Sequence, residues 1–250
     1  MTPAVGADVG NTRIKWGRCI PGSVAEVCSL PGDDPAAWSA QAERWGLPSP
    51  TAWAVAGVAP ARRDRLADWL RQRGDRVRVI DDPAELPLRV LVPWPGGVGV
   101  DRLLDAVAAN SRRTPGRPAV LIDAGSAVTV DHLDENGSFT GGVILPGLRL
   151  MARALHDYTA LLPLVEPPRQ IPPVPATDTR SAVEAGVFWT AAGGIRALVG
   201  EYARRPGPPP EVFLTGGDAE LLNRQLSDVV DHSWPAMTLE GVRLSVEALP

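Results

Sequence analysis

Asp8-Val9-Gly10-Asn11-Thr12 and Asp123-Ala124-Gly125-Ser126-Ala127 are the two stretches on which the reading of this chain turns. Each is a tight turn between extended segments. Pro3–Val9 leads into the first and Arg13–Cys19, alternating in side-chain character, leads out. Ala119–Asp123 and Ala127–Asp131 flank the second. Period-2 alternation on both sides of an acid–glycine–polar apex predicts a β-hairpin. The same apex opens two blocks of similar make-up, which points to domain duplication rather than a solenoid.

Outward from the first hairpin, the pattern predicts a strand at Val24–Leu30 and a helix at Asp34–Trp45 with a cap-then-proline start. A buried strand at Thr51–Val58 follows, then a helix at Ala61–Arg73 with Leu66, Trp69 and Leu70 on one face, and a strand at Val77–Ile80. Asp101–Arg112 reads as an amphipathic helix turning Leu103, Leu104, Val107 and Ala108 inward. Thr114-Pro115-Gly116-Arg117-Pro118 is the linker candidate. Beyond the second hairpin, Asn136-Gly137 signals a turn into a strand at Phe139–Leu145, followed by a helix at Leu148–Leu155 and a proline-rich loop, Pro163–Pro175. A long helix at Thr179–Ala203, a strand at Glu211–Leu214 and helices at Asp218–Gln225 and Thr238–Leu249 complete the chain. The expected architecture is α/β in two domains, 1–114 and 118–250, each a mixed sheet flanked by helices, with a ligand-binding cleft between them.

Composition narrows the function. Of 250 residues, 44% are hydrophobic and 22% charged, as in a folded protein. Twenty-five basic against 29 acidic residues leave a net charge of −4, which argues against a globally basic nucleic-acid binder. No apolar run approaches the ~18 residues of a membrane span. The first twelve residues contain Asp8 and no basic region before an apolar stretch, unlike a signal peptide. Cys19 and Cys28 cannot build a disulfide framework and read as small buried side chains. A cytoplasmic protein is expected. His132, His156 and His232 lack metal-ligand spacing, and the eight tryptophans, scattered along the chain, read as core and loop filler rather than a base-stacking platform.

The hairpin apices fit phosphate. A glycine lets backbone N–H groups approach an anion, and Asn11, Thr12 and Ser126 can add hydrogen bonds. A carboxylate beside phosphate would repel it unless a cation intervenes, so Asp8 and Asp123 make sense beside Mg²⁺ or another cation. Lys15, the only lysine, would add positive charge near the β- and γ-phosphates. A plain tight hairpin is the competing reading of either apex alone. Leu214-Thr215-Gly216-Gly217-Asp218 is a strand, a glycine turn and a helix start; its two glycines would let a flat base or ribose lie against the backbone, and a plain strand–helix turn is the equal competing reading. Neither a Walker-type phosphate loop nor a Gly-x-Gly-x-x-Gly after a strand occurs. Gly99-Val100-Asp101-Arg102 has two readings: a dipole-complementing acid with a solvated arginine, or a proton acceptor beside a carboxylate-binding fork.

In this order, these pieces resemble the type III pantothenate kinases, a branch of the sugar kinase–actin superfamily with duplicated ribonuclease H-like domains. Asp8–Lys15 and Asp123–Thr129 resemble the family's two phosphate motifs, and Gly99–Arg102 its Gly-x-Asp-Arg substrate motif. Gly141–Gly147 resembles its Gly-Gly-x-Ile-x-Pro-Gly stretch; Leu161–Pro163 and Asp178-Thr179 fit two short motifs. Thr215-Gly216-Gly217 and Leu239–Val242 match two later ones. The resemblance implies ATP-dependent phosphorylation of pantothenate to 4′-phosphopantothenate, the first step toward coenzyme A. It implies Asp101 as general base; ATP contacts from Asp8, Val9, Gly10, Asn11, Thr12, Arg13, Ile14, Lys15 and Ser126; and pantothenate contacts from Gly99, Val100, Asp101, Arg102 and Thr179. It further implies Mg²⁺ held through water by Asp8, a monovalent cation (K⁺ or NH₄⁺) at Asp123, and a homodimer whose partner completes the substrate pocket, with Thr179–Ala203 as a candidate interface. The chain departs from the family at Ser126, where Thr is usual, at Asp178, where Asn is frequent, and at Val92, where a tyrosine commonly lies. A kinase of another small hydroxyl acceptor and a non-catalytic regulator are the alternatives.

Overall fold

Strand β1 (Val5–Val9) buries Val5, Ala7 and Val9 completely, and β2 (Arg13–Ile20) buries Ile14 and Trp16 on the same side. Alternation therefore sets one face of the hairpin against a core, as period 2 requires. The structure, a computed structural model, describes residues 2–248, so the expected last turn at Leu249 lies outside the described residues. β3 (Ser23–Pro31), α1 (Pro35–Arg44), β4 (Ala52–Gly57), α2 (Pro60–Gln72), β5 (Arg76–Ile80) and α3 (Val100–Asn110) follow. The sheet runs β3-β2-β1-β4-β5, antiparallel through the β1–β2–β3 meander and parallel from β1 to β4 and β5. Asp34 caps α1 by accepting from the amides of Ala36 and Ala37, and Pro35 takes the position that lacks a helix partner.

The second half repeats this plan with β6 (Ala119–Ala124), β7 (Ala127–Leu133), β8 (Phe139–Pro146), α4 (Leu148–Asp157), α5 (Thr179–Ala203), β9 (Glu211–Thr215), α6 (Ala219–Leu226), β10 (His232–Ser233) and α7 (Met237–Ala248). Its sheet order, β8-β7-β6-β9-β10, reproduces the first strand for strand, with the same antiparallel meander and the same parallel pairs. The duplication expected of ribonuclease H-like halves is present. α5 starts at a capping box in which Asp178 accepts from the Ser181 amide and Ser181 accepts from the Asp178 amide. The helix is long and apolar enough by length and composition to cross a membrane, but Val183, Val187, Phe188, Ala191, Ala192 and Ile195 form a buried stripe in this unit's core.

The domain boundary differs from expectation at the C-terminal end. The described residues up to Arg112 together with those from Ala236 on form one unit, and Arg113–Pro235 form the other. So α7, expected within 118–250, belongs with the first hairpin. The cause is small side chains. Gly6 and Gly17 face each other across β1 and β2 and leave a flat patch on the face away from Val5 and Trp16. Leu239 and Val242 of α7 lie on that patch: a Cβ on Gly17 would stand 3.1 Å from Leu239 Cδ1, and one on Gly6 3.3 Å from Val242 Cγ1.

The tryptophans are also better organised than their spacing suggests. Trp16 packs edge-on to Trp53 at 4.8 Å and lies 6.3 Å from both Trp45 and Trp69, which in turn meets Trp38 at 5.6 Å. Five of the eight thus form one cluster in the first unit's core, whereas Trp94 is 76% exposed.

Candidate active site

The first hairpin closes with the Gly10 N–H donating to the Arg13 carbonyl at 3.0 Å, which leaves Asn11, Thr12 and Arg13 exposed at the apex. Val9 and Ile14 bury their side chains completely, so of the expected ATP contacts these two can offer only backbone. Asp8 and Lys15 stand opposite each other in register, on the face that carries Gly6, Gly17 and α7.

α3 belongs to the same unit as this pair. Gly99 is its N-cap, and Val100, 8% exposed, anchors the first turn in the core. The Asp101 carboxylate folds back so that Oδ1 accepts from the Arg102 amide at 2.8 Å. Burial pushes the Asp101 carboxyl above the usual carboxylate range; the Arg102 amide, the Arg102 guanidinium and Lys15 pull the other way. Lys15 of the first phosphate hairpin and Asp101 of the substrate motif are therefore electrostatic neighbours within one unit. A half-buried carboxylate of raised pKa, held by backbone amides with cations around it, can take a proton from an alcohol.

Gly99 makes that placement possible. A Cβ there would stand 2.6 Å from Asp101 Oδ1, so any side chain expels the carboxylate from its hydrogen bond. Gly99→Ala is expected to lower kcat/KM by roughly 10- to 100-fold, the cost of misplacing a reacting group by about an ångström, with Mg·ATP affinity retained. Steady-state kinetics beside calorimetric nucleotide titration checks this; unchanged kcat/KM removes Gly99 from the role.

In the second unit, the Gly125 N–H donates to the Ala127 carbonyl at 3.0 Å and Ser126 is exposed at the apex. Two glycines from elsewhere press against this hairpin. A Cβ on Gly147, the N-cap of α4, would stand 2.4 Å from the Gly125 carbonyl oxygen, and one on Gly216, at φ +107°, 2.4 Å from that of Ala124. The Asp218 amide adds a 2.9 Å bond to the Ala124 carbonyl. Of the two glycines in Thr215-Gly216-Gly217, Gly216 is required by the chain's own packing, as a plain strand–helix turn would have it, and Gly217 has open space around it. Gly125 likewise has only ordinary contacts around its missing side chain.

Thr215 stands beside Asp123 across the β6–β9 pair, fully buried, and its hydroxyl has no hydrogen-bond partner. Asp218, held above the usual carboxylate range by burial and pulled back by Arg149, completes an oxygen-rich end to this sheet. Sequence reading did not assign Thr215 or Asp218; the strand-to-glycine-turn pattern was the available signal. Among the described residues, no three His, Cys, Asp or Glu side chains gather as a metal cage. Single carboxylates suit Mg²⁺ that keeps its waters and takes its remaining ligands from phosphate. Thr179, the first residue of α5, is exposed, and Asp178, where the family often has Asn, serves as that helix's cap, a task Asn performs equally well.

Two units of identical strand order, each presenting an acid–glycine–hydroxyl hairpin at the ends of its parallel strands, define the duplicated fold shared by sugar kinases and actin-like ATPases. Solved structures agree on that fold. A Campylobacter jejuni protein named for the Baf family of transcriptional activators matches 97% of this chain and 97% of its own, with TM-score 0.61 and 18% identity. The Clostridium difficile activator of 2-hydroxyisocaproyl-CoA dehydratase, solved with bound ADPNP, matches 98% of this chain and 95% of its own at TM-score 0.57 and 15% identity. The sequence is more specific: residues 5–201 match the type III pantothenate kinase family. A Synechococcus type III pantothenate kinase (strain JA-2-3B'a(2-13)) is 35% identical over 94% of this chain and 85% of its own length. The chain belongs to the type III pantothenate kinase family.

Proposed function

We propose that the chain transfers the γ-phosphoryl group of ATP to the terminal hydroxyl of pantothenate, giving 4′-phosphopantothenate on the route to coenzyme A. The observation that carries this is the match of residues 5–201 to the type III pantothenate kinase family, together with Asp101 in the first turn of α3, its Oδ1 accepting from the Arg102 amide at 2.8 Å. In this reading Asp101 takes the hydroxyl proton, and the Arg102 guanidinium forks onto the pantothenate carboxylate. Gly99, Val100 through its backbone, and Thr179 are the further pantothenate contacts that the family resemblance implies. Asp8–Lys15 and Ser126 hold the nucleotide. Asp8 would hold Mg²⁺ through water, and the ion when bound would supply charge neutralisation at the phosphates. Asp123 holds K⁺ or NH₄⁺, and the neighbouring Thr215 hydroxyl supports an oxygen-coordinated ion there. Phosphoryl transfer asks mainly for positioning and charge, which this donor set offers.

A homodimer and a cytoplasmic location belong to the same reading. Ile144, Leu150, Tyr158, Leu161 and Leu164 are exposed along β8, α4 and the loop after it, an apolar face that suits a second copy of the chain alongside α5. Purified protein supplied with ATP, Mg²⁺, K⁺ and pantothenate is expected to release ADP and phosphopantothenate in equal amounts. Val92, half-buried at the position where the family resemblance implies a tyrosine, favours one competing reading, a different small acceptor. Faster ADP release with another hydroxy acid would establish that reading, and bound nucleotide with no acceptor at all would return the chain to the regulators.

A further inference from the structure

Arg62, in the first turn of α2, lies outside every motif described above. Its Nε donates to Asp33 Oδ2 at 2.9 Å, its Nη2 pairs with the same oxygen at 2.8 Å, and its Nη1 donates to the carbonyl oxygen of Asn11, at the apex of the first hairpin. Asp33 sits in the turn between β3 and α1 and also takes Arg65 Nη1 at 2.9 Å. The Arg62 hydrogen bond holds the Asp33 carboxyl below the usual range, so the anchor stays ionised across ordinary pH. Gly32 leaves room for the guanidinium: a Cβ there would stand 2.7 Å from Nε. Two segments, α2 and the turn between β3 and α1, thus converge on one carbonyl of the apex.

That carbonyl belongs to the peptide joining Asn11 and Thr12. A trans peptide is planar, with its C=O and N–H pointing in opposite directions, so fixing the Asn11 carbonyl toward α2 fixes the direction of the Thr12 N–H. We propose that Arg62 is a positioning residue for the nucleotide: anchored by Asp33, it locks the Asn11–Thr12 peptide plane, and with it the orientation in which the hairpin meets a triphosphate. The guanidinium also adds fixed positive charge beside the apex. This inference rests on the first hairpin holding ATP.

Calorimetric titration of Mg·ATP, with steady-state KM values for ATP and pantothenate and a melting curve, should be run on wild type, Arg62→Ala, Arg62→Lys, Asp33→Asn and Arg65→Ala. Arg62→Ala is expected to weaken ATP affinity about 10-fold or more and to raise the ATP KM in step, with the pantothenate KM little changed. Its melting temperature should move little, since a partly exposed ion pair contributes little to stability. Lysine should restore only part of the affinity, because one ammonium cannot reproduce the fork that spans Asp33 and the carbonyl. Asp33→Asn should fall between, and Arg65→Ala, which leaves the Asn11 contact intact, should bind like wild type. Wild-type affinity in Arg62→Ala, or a loss that Arg65→Ala shares equally, overturns the role of Arg62. Failure of the wild type itself to bind Mg·ATP overturns the nucleotide reading of the hairpin, and this inference with it.

Discussion

Asp101→Asn is expected to lower kcat by about 10²–10⁴, the usual contribution of a general base, while Mg·ATP binds as in wild type. Asparagine keeps the shape and an oxygen able to accept from the Arg102 amide, so geometry survives and proton transfer does not. The same substitution is expected to raise the melting temperature at neutral pH. Burial raises the folded-state pKa of Asp101, so the folded chain holds this proton more tightly than the unfolded chain does. The ionised form then costs stability, a cost that begins as pH rises through the unfolded carboxylate value and stands in full above the folded one. Removing the charge removes the cost, and the variant's advantage should vanish in acid, where wild-type Asp101 is protonated in both states. For the same reason, the acid limb of the wild-type kcat/KM profile should lie above the ordinary carboxylate range. Wild-type turnover in Asp101→Asn takes the base role from this residue; a lower melting temperature shows that its charge stabilises the fold.

The parts of the molecule that were legible in sequence are those whose signals are local. Hairpins announced themselves by alternation around Gly10 and Gly125, and α5 runs over Thr179–Ala203 as read, because its cap and its apolar stripe are contiguous. The succession of strands and helices in the first unit was legible too; their order within the sheet is known from the structure. Three features escaped for one physical reason: each depends on residues distant in sequence. β10 is two exposed polar residues paired with β9, without a pattern of its own. The docking of α7 depends on Gly6 and Gly17 meeting across a hairpin, and neither glycine alone indicates a flat patch. The Asp33–Arg62–Asn11 contact joins a turn, a solvated helix face and a backbone carbonyl, where a charge looks like any other surface charge. The Thr-Gly-Gly turn taught a finer lesson. Adjacent glycines admit either a ligand surface or a plain turn, and steric demand divides them, Gly216 serving β6 and Gly217 the open side.

Gly241→Ala is expected to cause the largest loss of stability of any single methyl added to this chain's helices, because α7 and α3 meet there backbone to backbone. A Cβ on Gly241 would stand 2.0 Å from the Leu104 carbonyl oxygen and 2.5 Å from its carbon. Neither atom can rotate away, so the helices must separate, and α7 is not free to move. Thr238 Oγ1 donates to Asp105 Oδ1 at 2.8 Å, Glu240 accepts from the Val24 amide at 2.8 Å, and buried Arg243 binds Glu240 at 2.8 Å and also Glu247. Displacing the helix strains or breaks these bonds, and a buried charge that loses its partner is expensive. Together with overpacking, a cost of about 3 kcal/mol is expected, which lowers the transition of the first unit by roughly 10 °C. Turnover should fall too, since α3 carries Asp101 at its start. Gly193→Ala is the matched comparison: it also lies within a helix, has no heavy atom near its missing Cβ, and should be neutral or stabilising by up to about 1 kcal/mol. Helix propensity favours alanine at both positions. Opposite shifts in calorimetry would therefore trace the loss at Gly241 to its contact with Leu104, and equal shifts would mean that α7 does not pack against α3 as described.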